Sequence, residues 1–468
     1  MTGLGGRLWW TGLIATVAAT VTTIGGAAGC SEPCCTTDGF PINLLPRTNT
    51  DEVGLVASAQ GPTNQPFTIS VDTGSALNLF GRQSGGAQIV LRDFDILDGQ
   101  PPAGRVAPIV RGTFHQIEGL STGLNPDGPG AVLGGTLLQN FSVQFEFAKP
   151  AVTFWARQGA TDGFLDAAGF AVLHFNLLGG AELTVESRPD VLGLTGPLEV
   201  PPSRVVVRAC GGPTPFDPDA LEPERCCKRG DEVGLATGTN LALVVATGIG
   251  PLVLSQSAWN RVAAGQLTSP LTPPVPGATL LIPTLSAPLT NVSWSTLPRI
   301  ALVNQELDDA TNPGACVDLG RARRLEWIEH HQSEDGTTGA CPLPCDTDPR
   351  DATKAQNAAA YVEFGENIPV AVLPDSTPLL QALRAEIRPE GPEIDGLIGA
   401  NLFAQTTMEI DYRSKPGRAV IACAPGVVQT ACKSSPRCPR LVNPGDARAC
   451  FGQPRRSLPL ACDVSVCG

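Results

Sequence analysis

Residues 67–80 read FTISVDTGSALNLF, and the fold turns on how those fourteen letters are taken. Apolar and polar side chains alternate from Phe67 to Val71, the period of a half-buried strand. The alternation ends at Asp72, where Thr73-Gly74-Ser75 supplies small, turn-forming residues. A glycine two places after an acid lets backbone amides come close to the carboxylate, because no β-carbon stands in the way. Thr73 adds a hydroxyl that can donate and accept sideways. Beyond the turn, Leu77 to Phe80 resumes an apolar run.

A partner element lies sixty-two positions on (134−72), where Gly130–Leu138 reads GAVLGGTLL. Together, apolar-apolar-Asp-Thr-Gly-Ser and apolar-apolar-Gly resemble the active-site elements of the aspartic peptidases, the pepsin-like and retropepsin-like families. The resemblance implies that the apolar-apolar-Gly strand threads through the loop carrying Asp72 and leads into a short helix. It also implies a flap hairpin over Gln88–Phe114, interrupted by the turn cluster Asp98-Gly99-Gln100-Pro101-Pro102. Pepsin-like flaps carry a tyrosine, and here the chain departs from the pattern: its tyrosines are Tyr361 and Tyr412.

The second half repeats the first. Asp231-Glu232-Val233-Gly234-Leu235 copies residues 51–55, each copy after a Cys-Cys pair, and Leu241–Leu254, LALVVATGIGPLVL, aligns with the opening stretch at an offset of 174 (246−72). Thr247 and Gly248 fall on Thr73 and Gly74, while Ala246 falls on Asp72. Asp395–Phe403, DGLIGANLF, matches Gly130–Leu138, and Met408–Tyr412 matches Val143–Phe147. Landmarks recurring in the same order mark a duplication. The fold expected is therefore mostly β and bilobal, a pepsin-like aspartic peptidase (acid protease) fold of two related β-barrel-like lobes with a Cys-rich insertion and tail.

The expected organisation is a signal over 1–29, a first lobe over 30–163, interlobe strands and linker over 164–225, a second lobe over 226–425 with an insertion near 308–354, and a Cys-rich tail over 426–468. The second lobe is the longer: Ala246 to Gly399 spans 153 positions (399−246) against 62. The insertion, charged and turn-rich, is expected on the surface. Helices are expected at Ser255–Ala264 and Thr377–Ile387, the latter with Ser376 as a cap and Pro378 in its first turn.

Composition excludes some functions. A formal charge of −13 argues against nucleic acid, whose phosphates need clustered Lys and Arg. With 52 Gly and 43 Pro, short runs between turns dominate over helix. Arg7, the apolar Leu8–Ile24 and the small residues before Cys30 read as an export signal. Ala27-Ala28-Gly29-Cys30 resembles a bacterial lipoprotein cleavage box, in which Cys30 is lipidated and anchors the chain at the cell envelope; plain secretion and an uncleaved anchor are the alternatives. Of fifteen Cys, fourteen remain for pairing after Cys30, as suits an oxidising compartment. Zinc on Cys316, His330, His331, Cys341 and Cys345 competes with crosslinking but lacks regular ligand spacing, so no metal and no cofactor are expected.

Amide hydrolysis in the family resembled uses two carboxylates that share one proton over one water, because two carboxyls held so close cannot easily ionise together. Here the first loop offers Asp72 and the second a methyl group, Ala246. General acid–base groups contribute ~10²–10⁴-fold each, so little hydrolysis is expected. Without a like-charge neighbour, Asp72 is expected to be ionised near neutral pH. The active-site loop residues Thr73, Gly74, Ser75, Thr247 and Gly248 survive, and in the family the two threonines bond across the lobe interface. Asp395 and Asp411 are expected at the surface or in turns. Three readings stay open: a pseudo-peptidase monomer binding an extended peptide or protein in its cleft, an active endopeptidase using Asp72 with an unrecognised acid or by self-association, and a structural surface lipoprotein.

Overall fold

The computed structural model describes residues 40–43, 54–60, 66–82, 115–118, 130–139, 141–147, 151–155, 170–179, 182–183, 198–199, 202–216, 238–265, 270–280, 289–304, 314–320, 322–323, 360–387, 392–412, 417–423 and 440–442. All of them belong to the unit Thr36–Gly468. The expected signal with Cys30, the flap hairpin, the second Asp-Glu-Val-Gly-Leu copy and nearly all of the tail lie outside these residues.

Strand β1 (Phe40–Asn43) precedes the first lobe, which is built from β2 (Val56–Gln60), β3 (Pro66–Val71), β4 (Leu79–Arg82), β5 (His115–Glu118) and β6 (Gly130–Leu133). They form one sheet in the order β2-β3-β6-β4-β5. β3 runs parallel to β6 with Val71 opposite Leu133, and β6 runs antiparallel to β4 with Val132 opposite Leu79. Thus β6 passes between the strand that enters the Asp72 turn and the strand that leaves it. A one-turn helix, Gly135–Leu138, follows.

The second lobe repeats this arrangement. Between the lobes run β7 (Ser142–Glu146), β8 (Ala151–Trp155), β9 (Phe170–Leu178), a ribbon of β10 (Glu182–Leu183) with β11 (Leu198–Glu199), and β12 (Arg204–Gly211). Then come β13 (Thr239–Ala246), β14 (Leu252–Ser255), the helix Gln256–Gly265, β15 (Val275–Pro276), β16 (Ser293–Val303), β17 (Tyr361–Leu373), the helix Pro378–Ile387 and β18 (Gly396–Gly399). β13 is parallel to β18 with Ala246 opposite Gly399, β18 is antiparallel to β14 with Leu397 opposite Val253, and β14 is parallel to β17. Val253 is Leu79 shifted by 174, and Leu397 is Val132 shifted by 265, so the duplication read in the letters holds in the hydrogen-bond register. In β13 both faces are buried, which is why its sequence, LALVVA, is apolar throughout rather than alternating.

The lobes share a sheet. β19 (Thr406–Asp411) pairs antiparallel with β7, and six strands run in the order β1-β8-β7-β19-β20-β9, with β20 at Gly417–Cys423. Gln144 lies opposite Glu409, its own counterpart at the offset of 265 (399−134), so the pseudo-twofold passes through this pair. One hydrophobic core takes Ile69, Val71 and Leu133 from the first lobe, Leu243, Val245 and Ile398 from the second, and Phe145, Phe154 and Ile410 from the shared sheet. Phe147 stacks on Phe403 at 5.4 Å between centroids, adding an aromatic contact across the halves. The mostly-β architecture of two lobes with matching strand registers expected from the sequence is the one observed.

Three details differ from expectation. The described part of the insertion is buried, not superficial. Its Cys316 is joined to Cys210 of β12, its Asp318 meets Arg208 at 2.8 Å, and Arg323, 0% exposed, meets Glu363 of β17 at 2.9 Å. A disulfide-bonded Cys316 is not a zinc ligand; the four residues grouped with it lie outside the described residues. The Pro378–Ile387 helix is preceded by Thr377, whose carbonyl accepts Gln381 N–H and whose hydroxyl donates to Pro374 O; it takes the place assigned to Ser376. Finally, Asp395 and Asp411 are both buried. Asp395 accepts the Ala242 amide and pairs with Arg261, which ties β18 to β13 and to the Gln256–Gly265 helix. Sequence placed these acids outside because a charged residue is usually there; pairing and strand position override that tendency.

Candidate functional site

The two turns, residues 72–75 and 246–249, meet at the seam between the lobes, held by a reciprocal set of bonds. Thr73 Oγ1 donates to Val245 O and Thr247 Oγ1 donates to Val71 O, both at 2.7 Å. In return the Thr73 amide donates to Thr247 Oγ1 and the Thr247 amide to Thr73 Oγ1, both at 3.2 Å. Each hydroxyl thus reaches into the opposite strand while accepting from the opposite backbone. Both threonines are fully buried, so every one of these groups would be left unsatisfied if its partner were removed.

Asp72 stands at the centre of this seam, 3% exposed. Its Oδ1 accepts the Gly74 amide at 2.8 Å and the Gly248 amide at 3.1 Å, one donor from each turn. No described residue donates to Oδ2. Gly248 has to lack a side chain: a β-carbon there would sit 2.5 Å from Asp72 Cγ. The same is true of Gly54, whose β-carbon would fall 2.0 Å from Thr247 O. Gly54 and Leu55 donate their amides to Gly248 O and Thr247 O, so the repeated Gly-Leu of the first lobe straps the turn of the second. Ser75 is buried and its hydroxyl donates to Leu77 O within its own loop.

Opposite Asp72, the position related to it by the duplication is a buried methyl, Ala246. Among the described residues, the charged side chain acting on Asp72 is Arg204, a cation, and no carboxylate acts on it. Asp72 is nevertheless not an ordinary carboxylate. Burial pushes its pKa up, and the two amides and the Arg204 charge offset that rise only in part. Losing the like-charged partner removes one cause of a raised pKa, and the sealed seam supplies another.

Two residues around Asp72 were not picked out as site residues from the sequence. Arg204, at the start of β12, donates from Nη1 to Gly74 O and grips Glu386 with Nε at 2.8 Å and Nη2 at 2.7 Å. Tyr412, at the end of β19, is buried with no partner for its hydroxyl among the described residues, and burial together with the Asp72 charge keeps the phenol protonated. The offset of 265 makes Tyr412 the counterpart of Phe147, and that comparison is the signal that could have marked it. Cys30 lies outside the described residues.

Neither the protein-family models nor the curated proteins contain a match to this sequence. Among solved structures, the chain is similar to the crystal structure of an aspartic proteinase from Irpex lacteus, with 9% identity and a TM-score of 0.35 over 84% of this chain and 100% of that one.

Proposed function

We propose that this chain is an exported pseudo-peptidase, anchored at the bacterial cell envelope through Cys30, that receives an extended peptide or protein segment between its lobes without efficient cleavage. The observation that carries the proposal is Ala246 at the duplicated position of Asp72, in a seam where the supporting threonines are both kept. Water attack on an amide needs a base and an acid together; one carboxyl facing a methyl supplies half of that. Extended peptides bind by adding a strand to exposed backbone, a mode that needs no dyad. Export is supported by the buried Cys210–Cys316 bond, which fits an oxidising compartment. Self-association as a route to an active dyad is disfavoured because the first turn is already engaged by its own second turn.

The test is hydrolysis of denatured protein substrates from acid to neutral pH, with and without a transition-state-mimicking aspartic peptidase inhibitor, alongside peptide binding. Saturable binding without cleavage is the expected result. Cleavage that disappears in Asp72→Asn overturns the proposal in favour of an active endopeptidase, and absence of both favours a structural lipoprotein. Ala246→Asp provides the positive arm, since restoring a second acid should raise acid-range hydrolysis by at least ~10²-fold over the parent.

A further inference from the structure

We propose that Arg204 is a positioning residue for the candidate site, a cation of interlobe strand β12 that grips the Asp72 turn at the Gly74 carbonyl while Glu386 of the second lobe fixes its guanidinium. The geometry is a three-part chain. Glu386 sits in the last turn of the Pro378–Ile387 helix, whose Leu380, Leu383 and Ile387 are packed in a second-lobe core. Its carboxylate takes Arg204 in a two-pronged grip at 2.8 and 2.7 Å, a planar match that fixes direction as well as distance. The remaining donor, Nη1, crosses to the first lobe and bonds Gly74 O. β12 itself is anchored by pairing with β9, β13 and β16.

The turn therefore takes its position from the second lobe, and the helix is linked through one side chain to the acid. The groups acting on Asp72 are the Gly74 amide on its own turn, the Gly248 amide opposite and Arg204 from β12, while the Asp72 charge acts in turn on the neutral Tyr412 phenol just past β19. Arg204 is the cation among them and favours the ionised acid, against burial. Loss of the Arg204 contact while the seam stays closed therefore favours proton uptake by Asp72. This role holds whether or not the chain cleaves peptides.

The experiment is carboxyl-carbon NMR titration of the full chain labelled at aspartate, the Asp72 resonance being assigned with Asp72→Asn. Arg204→Met should shift the Asp72 titration upward, and Arg204→Lys, which keeps the charge but not the fork, should restore most of it. Glu386→Gln keeps an acceptor for Nε but loses the second prong of the grip, so Asp72 should shift upward toward the Arg204→Met value, whereas loss of a nearby negative charge alone would move it downward. An unmoved Asp72 titration in Arg204→Met, an equal shift in Arg204→Lys, or a downward shift in Glu386→Gln would each overturn the proposal. Should Arg204→Met fail to fold, Glu386→Gln decides alone by its sign.

Discussion

Asp72 and Gly248 lie 176 residues apart in sequence and are joined by a 3.1 Å hydrogen bond from the glycine amide to the carboxyl oxygen. One turn supplies the acid, and the other supplies a backbone donor two residues beyond Ala246, the residue at the duplicated position. The consequence is an acid more thoroughly enclosed than a solvated one, with burial outweighing every group that favours its charge.

That enclosure gives stability a pH dependence whose sign follows from linkage. The folded pKa of Asp72 lies above its unfolded value, so between the two the native state holds the extra proton and stability falls as pH rises. Below the unfolded value the penalty is absent; above the folded value it is complete. Asp72→Asn cannot ionise, so its stability relative to the parent should grow with pH from about pH 4 upward, no more steeply than about 1.4 kcal/mol per pH unit. Urea melts of the two proteins across that range would show it, and a gap that stays constant with pH would refute it.

Thr73 and Thr247 act as one unit because each hydroxyl both donates to and accepts from the opposite strand. Replacing either by Val should cost about 1–3 kcal/mol, since buried partners are orphaned. The double variant should cost less than the sum, with a coupling of about 0.5–3 kcal/mol in a double-mutant cycle. Strict additivity would mean that the two turns do not support one another.

Arg323 and Glu363 form a sealed ion pair, joined by Arg299 at 3.4 Å and by the Thr214 carbonyl. Arg323→Met leaves the buried carboxylate to the longer contact with Arg299 and should lower stability by up to about 3–5 kcal/mol. Pairing it with Glu363→Leu should recover much of the loss, because two buried charges leave together. Thermal melts of the three variants against the parent distinguish a stranded charge from simple loss of packing, which the double variant would not repair.

Cys210 and Cys316 close a loop of 106 residues between β12 and the insertion. Breaking the bond by Cys316→Ser should cost about 2–4 kcal/mol. Denaturation of parent and variant, both without reductant, checks it, and equal stabilities would refute the cost.

The parts of this fold that were legible in the letters are those that the duplication wrote twice. Leu79 and Val253, or Val132 and Leu397, occupy equivalent rungs because the same short-range pattern was copied, and an offset is visible without any structure. The seam was legible for the same reason, since Thr73-Gly74 and Thr247-Gly248 are repeats. Arg204 and Glu386 were not: they pair across 182 residues, occur in one copy each and follow no period that a strand or helix imposes. Asp395 and the described part of the insertion misled because burial of a charge depends on its partner, here Arg261 for Asp395 and Glu363 for Arg323, and partners are a property of the folded chain.

The Gln144–Glu409 rung has a further implication for chains cut in two. A first-lobe fragment carried through β8 would end with β7 as a bare edge, and the strand best shaped to cover it is another β7, bringing one Gln144 face to face with a second. In the intact chain β19 closes that edge, so severing the halves would expose a row of unpaired amides and carbonyls where the two lobes now meet.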